Sequence, residues 1–123
     1  MIRRRRCSEY RAVNTLTIAV FAPILVAVGI LGFVIPADKA MTSGAPLYNL
    51  FHIAFGLTGI VLAFGGNDAA IRTFNIGFGS IDLYQAVASR RHWWPEKVFR
   101  WTTVDDLLHV AIGIVLVVVG VFL

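Results

Sequence analysis

The sequence predicts an all-α integral membrane protein, a four-helix up-down bundle made of two parallel helix-pair repeats. Three observations carry that expectation. Hydrophobic residues make up 58% of the 123, charged residues only 15%, and the mean hydropathy is +0.76. A soluble chain this short has too little interior to hide so much apolar side chain. Next, 26 residues between Arg11 and Asp38 carry no charge, enough to cross a hydrocarbon core of about 30 Å at roughly 1.5 Å per residue. Finally, a motif occurs twice, as "HIAFGL" from His52 and "HVAIGI" from His109, 57 residues apart.

Taken in order, residues 1–14 form a basic cytoplasmic tail that includes "RRRR" (Arg3 to Arg6), and residues 15–123 form the membrane domain. The first helix is expected over about Thr15 to Ile35, closed by Pro36. Pro23 should bend it, because proline removes a backbone hydrogen bond. The stretch is too long for a signal-peptide core and is followed by no cleavage pattern, so it should stay as an anchor. "PADKAMTSGAP" is a loop by composition. A second helix runs from about Leu47 to Phe64 and stops at "GGND". The third, about Ala69 to Ser89, is interrupted by Asp82 and Gln85, and the fourth spans about Val104 to Leu123. Short connections between spans give an up-down order, since unpaired backbone cannot sit in lipid.

The net charge of +4 gathers in "RRRR" and in "RRHWWPEKVFR" (Arg90 to Arg100), both beside apolar segments. Such arginines fix orientation and meet anionic headgroups. No recognisable nucleic-acid module accompanies them, so nucleic acid is not an expected partner. Five arginines precede the first helix, which puts both termini on the cytoplasmic side. "HWWPE" (His92 to Glu96) reads as an interfacial loop, with Trp93, Trp94 and Trp101 at headgroup level and Pro95 setting a turn. The single Cys7 excludes an internal disulfide and a cysteine metal cluster.

The repeat assigns one motif each to the second and fourth helices, so the repeating unit is a helix pair. Two helices return the chain to its starting side, which makes the halves parallel repeats about an axis along the membrane normal. On a helix, residues three and four apart share a face. His52 therefore shares one with Asn49, Gly56 and Gly59, and His109 with Asp105, Gly113 and Gly120. Glycines let a neighbouring backbone come close, so these faces point at protein. Both histidines lie about five residues inside their helices, roughly 7 Å beneath one surface. Asp82, on the antiparallel third helix, reaches roughly 10 Å from the same surface. An isolated carboxylate is costly at that depth and should turn inward. His52, His109, Asp82 and Gln85, with Tyr84, are expected to form one buried polar layer.

Three uses of the layer compete. It is a hydrogen-bonded clasp in which the imidazoles bond Asn49, Asp105, Asp82 or backbone; or the two histidines hold a haem or chlorophyll, with Arg90, Arg91 or Lys97 near enough for propionates; or Asp82 and the histidines pass protons or ions. The clasp is the preferred reading, with no cofactor and no metal. Nothing else carries chemistry: there is no phosphate-binding glycine loop, no dinucleotide fingerprint, no zinc-protease motif and no serine elbow. "GFGS" (Gly77 to Ser80) lies within a helix and reads as a close-packing surface.

The segments "ILGFVIP", "NLFHIAFGLTGIVLA" and "TTVDDLLHVAIGIVLVVVG" together resemble a family of small bacterial four-helix membrane proteins, domain-of-unknown-function-4383. The resemblance covers about Leu16 to the end. Asn49, three before the first histidine, and Asp105, four before the second, match the family pattern; Thr102 and Asp106 stand where the family often has Asn. The resemblance implies the bundle and a bacterial cytoplasmic membrane, multi-pass, and implies no activity. With little chain beyond the spans, the expected role is non-catalytic: an accessory subunit or scaffold of a membrane assembly, or a homo-oligomer. Its partners would be the lipid bilayer and other membrane subunits or itself, met through some of the small residues Gly29, Gly32, Gly59, Ala63, Gly77 and Gly120. The competing class is a small transporter or redox protein built on the Asp82–His layer.

Overall fold

A computed structural model describes the backbone of residues 2–36 and 38–123, and the side chains of residues 12–36 and 38–123. Five helices make up the fold: α1 (Ile2–Val34), α2 (Pro46–Gly65), α3 (Asp68–Arg91), α4 (Glu96–Phe99) and α5 (Thr103–Phe122). The described residues contain no strand.

α1 starts far ahead of the Thr15 expected from the apolar pattern. Hydropathy marks where lipid begins, not where helix begins. No proline or glycine precedes Pro23 in the chain, and arginine is a good helix former, so nothing separates the basic segment from the span. The side chains of "RRRR" and of Cys7, and with them the basis for orientation, lie outside the described residues. α3 likewise runs two residues past Ser89 to Arg91, ended by His92 in the left-handed region at φ 55°. The stretch read as an interfacial loop contains the one-turn α4.

Three helices are long and apolar enough to cross a membrane: α1 over Ala12–Val34, α2 and α5. Only 22%, 28% and 39% of their most apolar stretches are buried, so most of that apolar surface faces away from the protein. Leu16, Val34, Val61, Phe64 and Phe122 are among the large side chains left outside. Each would forfeit about 1.5–3 kcal/mol of burial in water, which is why a membrane is the solvent this surface fits. α3 is long but too polar to count with the other three, because it spends its inner face on Asn75, Asp82, Gln85 and Ser89.

α1 packs chiefly on α2, and α3 chiefly on α5. Glycine makes each pairing close. A Cβ on Gly56 would sit 2.8 Å from the Ala22 carbonyl oxygen, and one on Gly113 would sit 2.9 Å from the Gly79 oxygen. These contacts correspond at the spacing of the histidine motif, Ala22 with Gly79 and Gly56 with Gly113. Burial follows the same spacing. Positions 14, 18, 22, 25 and 29 of α1 are buried, and so are 71, 75, 79, 82 and 86 of α3; positions 48, 49, 52, 56 and 59 of α2 match 105, 106, 109, 113 and 116 of α5. α1 and α3 differ in residue type yet share these five buried places, and α3 buries Phe78, Gln85, Ala88 and Ser89 besides.

Half of the "GFGS" expectation fails. Gly79 packs on α5, but Gly77 has nothing within 4 Å of a Cβ built on it. One helical turn cannot present both faces to one neighbour.

Candidate functional site

The site is organised by Asp105, which is 1% exposed. It is the third residue of α5 and belongs to a capping box with Thr102: the Asp105 N–H donates to the Thr102 hydroxyl, and the Thr102 N–H donates to Asp105 Oδ2 at 2.9 Å. The Ser43 N–H reaches the same oxygen at 2.9 Å, and the Tyr48 hydroxyl donates to Oδ1 at 2.6 Å. Ser43 in turn donates to the Phe99 carbonyl, and Thr102 to that of Met41 at 2.8 Å. The loop between α1 and α2 is thereby laced to the start of α5, across the two helix pairs.

Inward of that lacing lie the histidines. The His52 Nδ1 is 2.8 Å from the Tyr48 carbonyl oxygen, a contact that needs the proton on Nδ1. The ring lies 4.1 Å from that of Tyr48 and 6.4 Å from that of His109, the two imidazole planes 23° apart. The edge of Trp101 meets His109 at 6.4 Å. The buried Nδ1 of His109 has no hydrogen-bond partner among the described residues.

Both histidines, Tyr48, Asp82 and Asp105 line one cavity of about 120 Å³, walled on its other side by aliphatic residues of α1 and α5 such as Leu25 and Ile112. Asp82 is 3% exposed, and it makes no hydrogen bond or ion pair among the described residues. The cavity therefore holds two unsatisfied polar groups, Asp82 and the His109 Nδ1. Apart from these groups the lining is mostly apolar.

The remaining expected members of the layer are elsewhere. Asn49 is fully buried, but its amide lies against Gly32 and donates to the Gly44 carbonyl at 2.9 Å. Gln85 is buried one turn from Asp82 on α3 but borders a different space, shared with Phe51, Trp94 and Phe99, its Oε1 unpartnered. Tyr84 is not in the layer; it is exposed and donates to the Trp94 carbonyl at 2.7 Å. Trp101, expected among headgroups, is 7% exposed and packs on Phe99. Neighbouring positions on α3 point apart because each residue advances about 100°. Four of the small residues turn inward: a Cβ on Gly59 would meet Ala22 at 2.7 Å, one on Gly120 would meet Ile76 at 2.5 Å, and Gly29 and Gly32 both abut Asn49. These glycines serve the internal pairing, while Gly77 lies in open space.

Three functional contacts escaped the sequence reading. Tyr48 is one. The second is Arg90, whose Nε is 3.0 Å from Asp106 Oδ2. The third is Asn75, which donates to the Asn14 side chain at 3.2 Å, both being buried. The motif spacing, applied to whole helices, finds the first of these: Tyr48 and Asp105 are equivalent positions, as are His52 and His109. In both cases the residues 57 apart meet each other. Other positions at this spacing differ in type. Leu25 stands where the other half has Asp82, and Phe51 and Phe55 stand where it has Leu108 and Ile112.

Among the described residues no group of three or more His, Cys, Asp or Glu side chains is arranged to hold a metal. Comparison with protein-family models, with curated proteins and with solved structures finds no match to this chain.

Proposed function

We propose that this chain is a four-span membrane bundle of two pseudo-equivalent helix pairs that works by association, as a non-catalytic accessory subunit or scaffold in a bacterial cytoplasmic membrane. The observation that carries the reading is the lacing around Asp105. Three donors, from the α1–α2 loop, from α2 and from the residue capping α5, converge on one carboxylate, which supports reading it as a structural clasp. The shared burial pattern of the two pairs supports counting α3 as a span, its polar face turned to protein and its opposite face bearing Tyr84 and Val87. The resemblance to domain-of-unknown-function-4383 supports the same architecture. Purification from native membranes in a mild detergent, followed by mass determination of the intact particle, tests the reading. Recovery in a complex with itself or with other membrane proteins is the expected result; a strictly monomeric chain sinks it.

A second reading, proton or ion transfer, draws support from Asp82 and His109, which face the cavity unpartnered. Replacing Asp82 with Asn while following a pH-dependent flux or growth phenotype separates the two: loss of the phenotype with assembly intact favours transfer. The tetrapyrrole reading has less support. A cavity of about 120 Å³ lies below the range of roughly 300–1,000 Å³ typical of sites for drug-sized ligands. A Soret or chlorophyll band in the purified protein would restore it and make His52 and His109 axial ligands.

A further inference from the structure

A second concavity lies on the outer surface between α3 and α5, away from the Asp105 lacing. It has a volume of about 490 Å³ and a graded lining. At one end are Arg90 and Arg91, the last residues of α3, with Asp106 in the first turn of α5. One and two turns further in, the walls are Val87 and Leu83 on α3 and Val110 on α5. Polar at the end and aliphatic beneath is the polarity of a phospholipid.

Charge at the head of the cleft is unbalanced. Asp106 holds Arg90 through Nε alone, leaving the two terminal nitrogens of that guanidinium without a partner among the described residues. Arg91 has no ion-pair partner there either. Two arginines against one carboxylate leave a single positive charge, with Arg90 held by the buried Asp106. A planar guanidinium with free N–H groups is suited to phosphate oxygens. Trp93 and Trp94, both exposed and immediately following in the chain, suit the same headgroup level.

The first helix pair supplies an internal control. The positions equivalent to Arg90, Arg91 and Asp106 are Phe33, Val34 and Asn49. There, Ile53 closes on α1, its Cγ1 2.6 Å from where a Cβ of Gly29 would lie. The second pair has Ala86 and the smaller Val110 in those two places. One architecture thus appears once sealed and apolar, and once open and headed by arginines.

We propose that this α3–α5 cleft binds one anionic phospholipid, its phosphate at Arg90 and Arg91 and an acyl chain along Leu83, Val87 and Val110. The proposal rests on the membrane reading. The test uses the full chain purified in neutral detergent, with bound lipid counted by native mass spectrometry after adding phosphatidylglycerol, phosphatidylcholine or inorganic phosphate. One phosphatidylglycerol should be retained, and Arg91→Gln should weaken it about fivefold, since an arginine near a lipid surface contributes about 1 kcal/mol. Val87→Trp, which fills the cleft and leaves both arginines, should abolish retention. Equal retention of the two lipids, phosphate binding as tight as the lipid, or an unchanged Val87→Trp variant each overturns the proposal. Arg90→Gln is a weaker variant because it strands buried Asp106. A chain that stays soluble and monodisperse without detergent refutes the membrane reading itself; a detergent-dependent chain that retains no lipid refutes only the site.

Discussion

The two helix pairs share a run of buried positions and fill them differently. The α1–α2 pair is apolar along its inner face from Ile18 to Leu25, and its phenylalanines, Phe51 and Phe55, pack into an aromatic layer with Phe74 and Phe78. The α3–α5 pair carries Asn75, Asp82 and Asp106 on its inner faces, and presents Leu108 and Ile112 where the first pair has the two rings. Leu108 and Ile112 line the cavity of Asp82 and the histidines, while Phe51 and Phe99 line the separate space beside Gln85. The buried polar residues of the first pair, Asn14, Asn49 and His52, flank that apolar stretch, whereas the second pair carries Asn75 and Asp82 where the first has Ile18 and Leu25.

The largest expected effect comes from breaking the join between the pairs. Asp105→Ala leaves the Tyr48 hydroxyl and the Ser43 and Thr102 N–H groups without their acceptor. At about 1–3 kcal/mol for each stranded group, the loss should reach about 3 kcal/mol or more, read as a lowered midpoint in detergent-to-SDS unfolding. Tyr48→Phe removes only one bond of the set and should cost about 0.6–1.7 kcal/mol, the span measured for buried hydrogen bonds in membranes. Equal losses from the two variants would mean that the loop and cap bonds contribute nothing.

Smaller effects should follow from disturbing one pair alone. Gly113→Val and Gly56→Val put methyl groups into equivalent backbone contacts, and each should cost about 1–3 kcal/mol by overpacking. A marked difference between them would show that the pairs are not alike in depth of packing. Gly77→Ala, in open space on α3, should gain up to about 1 kcal/mol through helix propensity.

The comparison is sharpened most by Asp82→Leu, which gives the second pair the residue the first has at Leu25. Replacing a buried carboxylate that lacks a partner with an apolar side chain should stabilise the bundle by about 1 kcal/mol, at the low end of what such exchanges yield. The same unfolding titration measures it. A destabilised variant would mean that Asp82 has a partner that only the assembled membrane complex provides.

Much of this was legible in the sequence, and the parts that were not share a cause. Apolar runs located three helices because lipid demands length and hydropathy together. The start of α1 was not legible, since charged residues continue a helix without any apolar signal. His52, Asp82, Asp105 and His109 were readable from helical phase. Gln85 is buried as helical phase expects but borders a separate space, and Tyr84 is exposed because the neighbouring residue on a helix points about 100° away. Tyr48 was overlooked because tyrosine near a span's end reads as an interfacial anchor. The Arg90–Asp106 pair needed the register between α3 and α5, which no single-helix pattern contains.

The hydrogen bond from Tyr48 to Asp105 has a consequence for assembly. These are equivalent positions, so two copies of the first half would set tyrosine against tyrosine, with no carboxylate to accept from either. Two copies of the second half would set one carboxylate against another in a buried site, where like charges repel. Only the unlike halves set a hydroxyl donor against a carboxylate. A difference at one pair of residues thus acts as a lock and key between the two helix pairs.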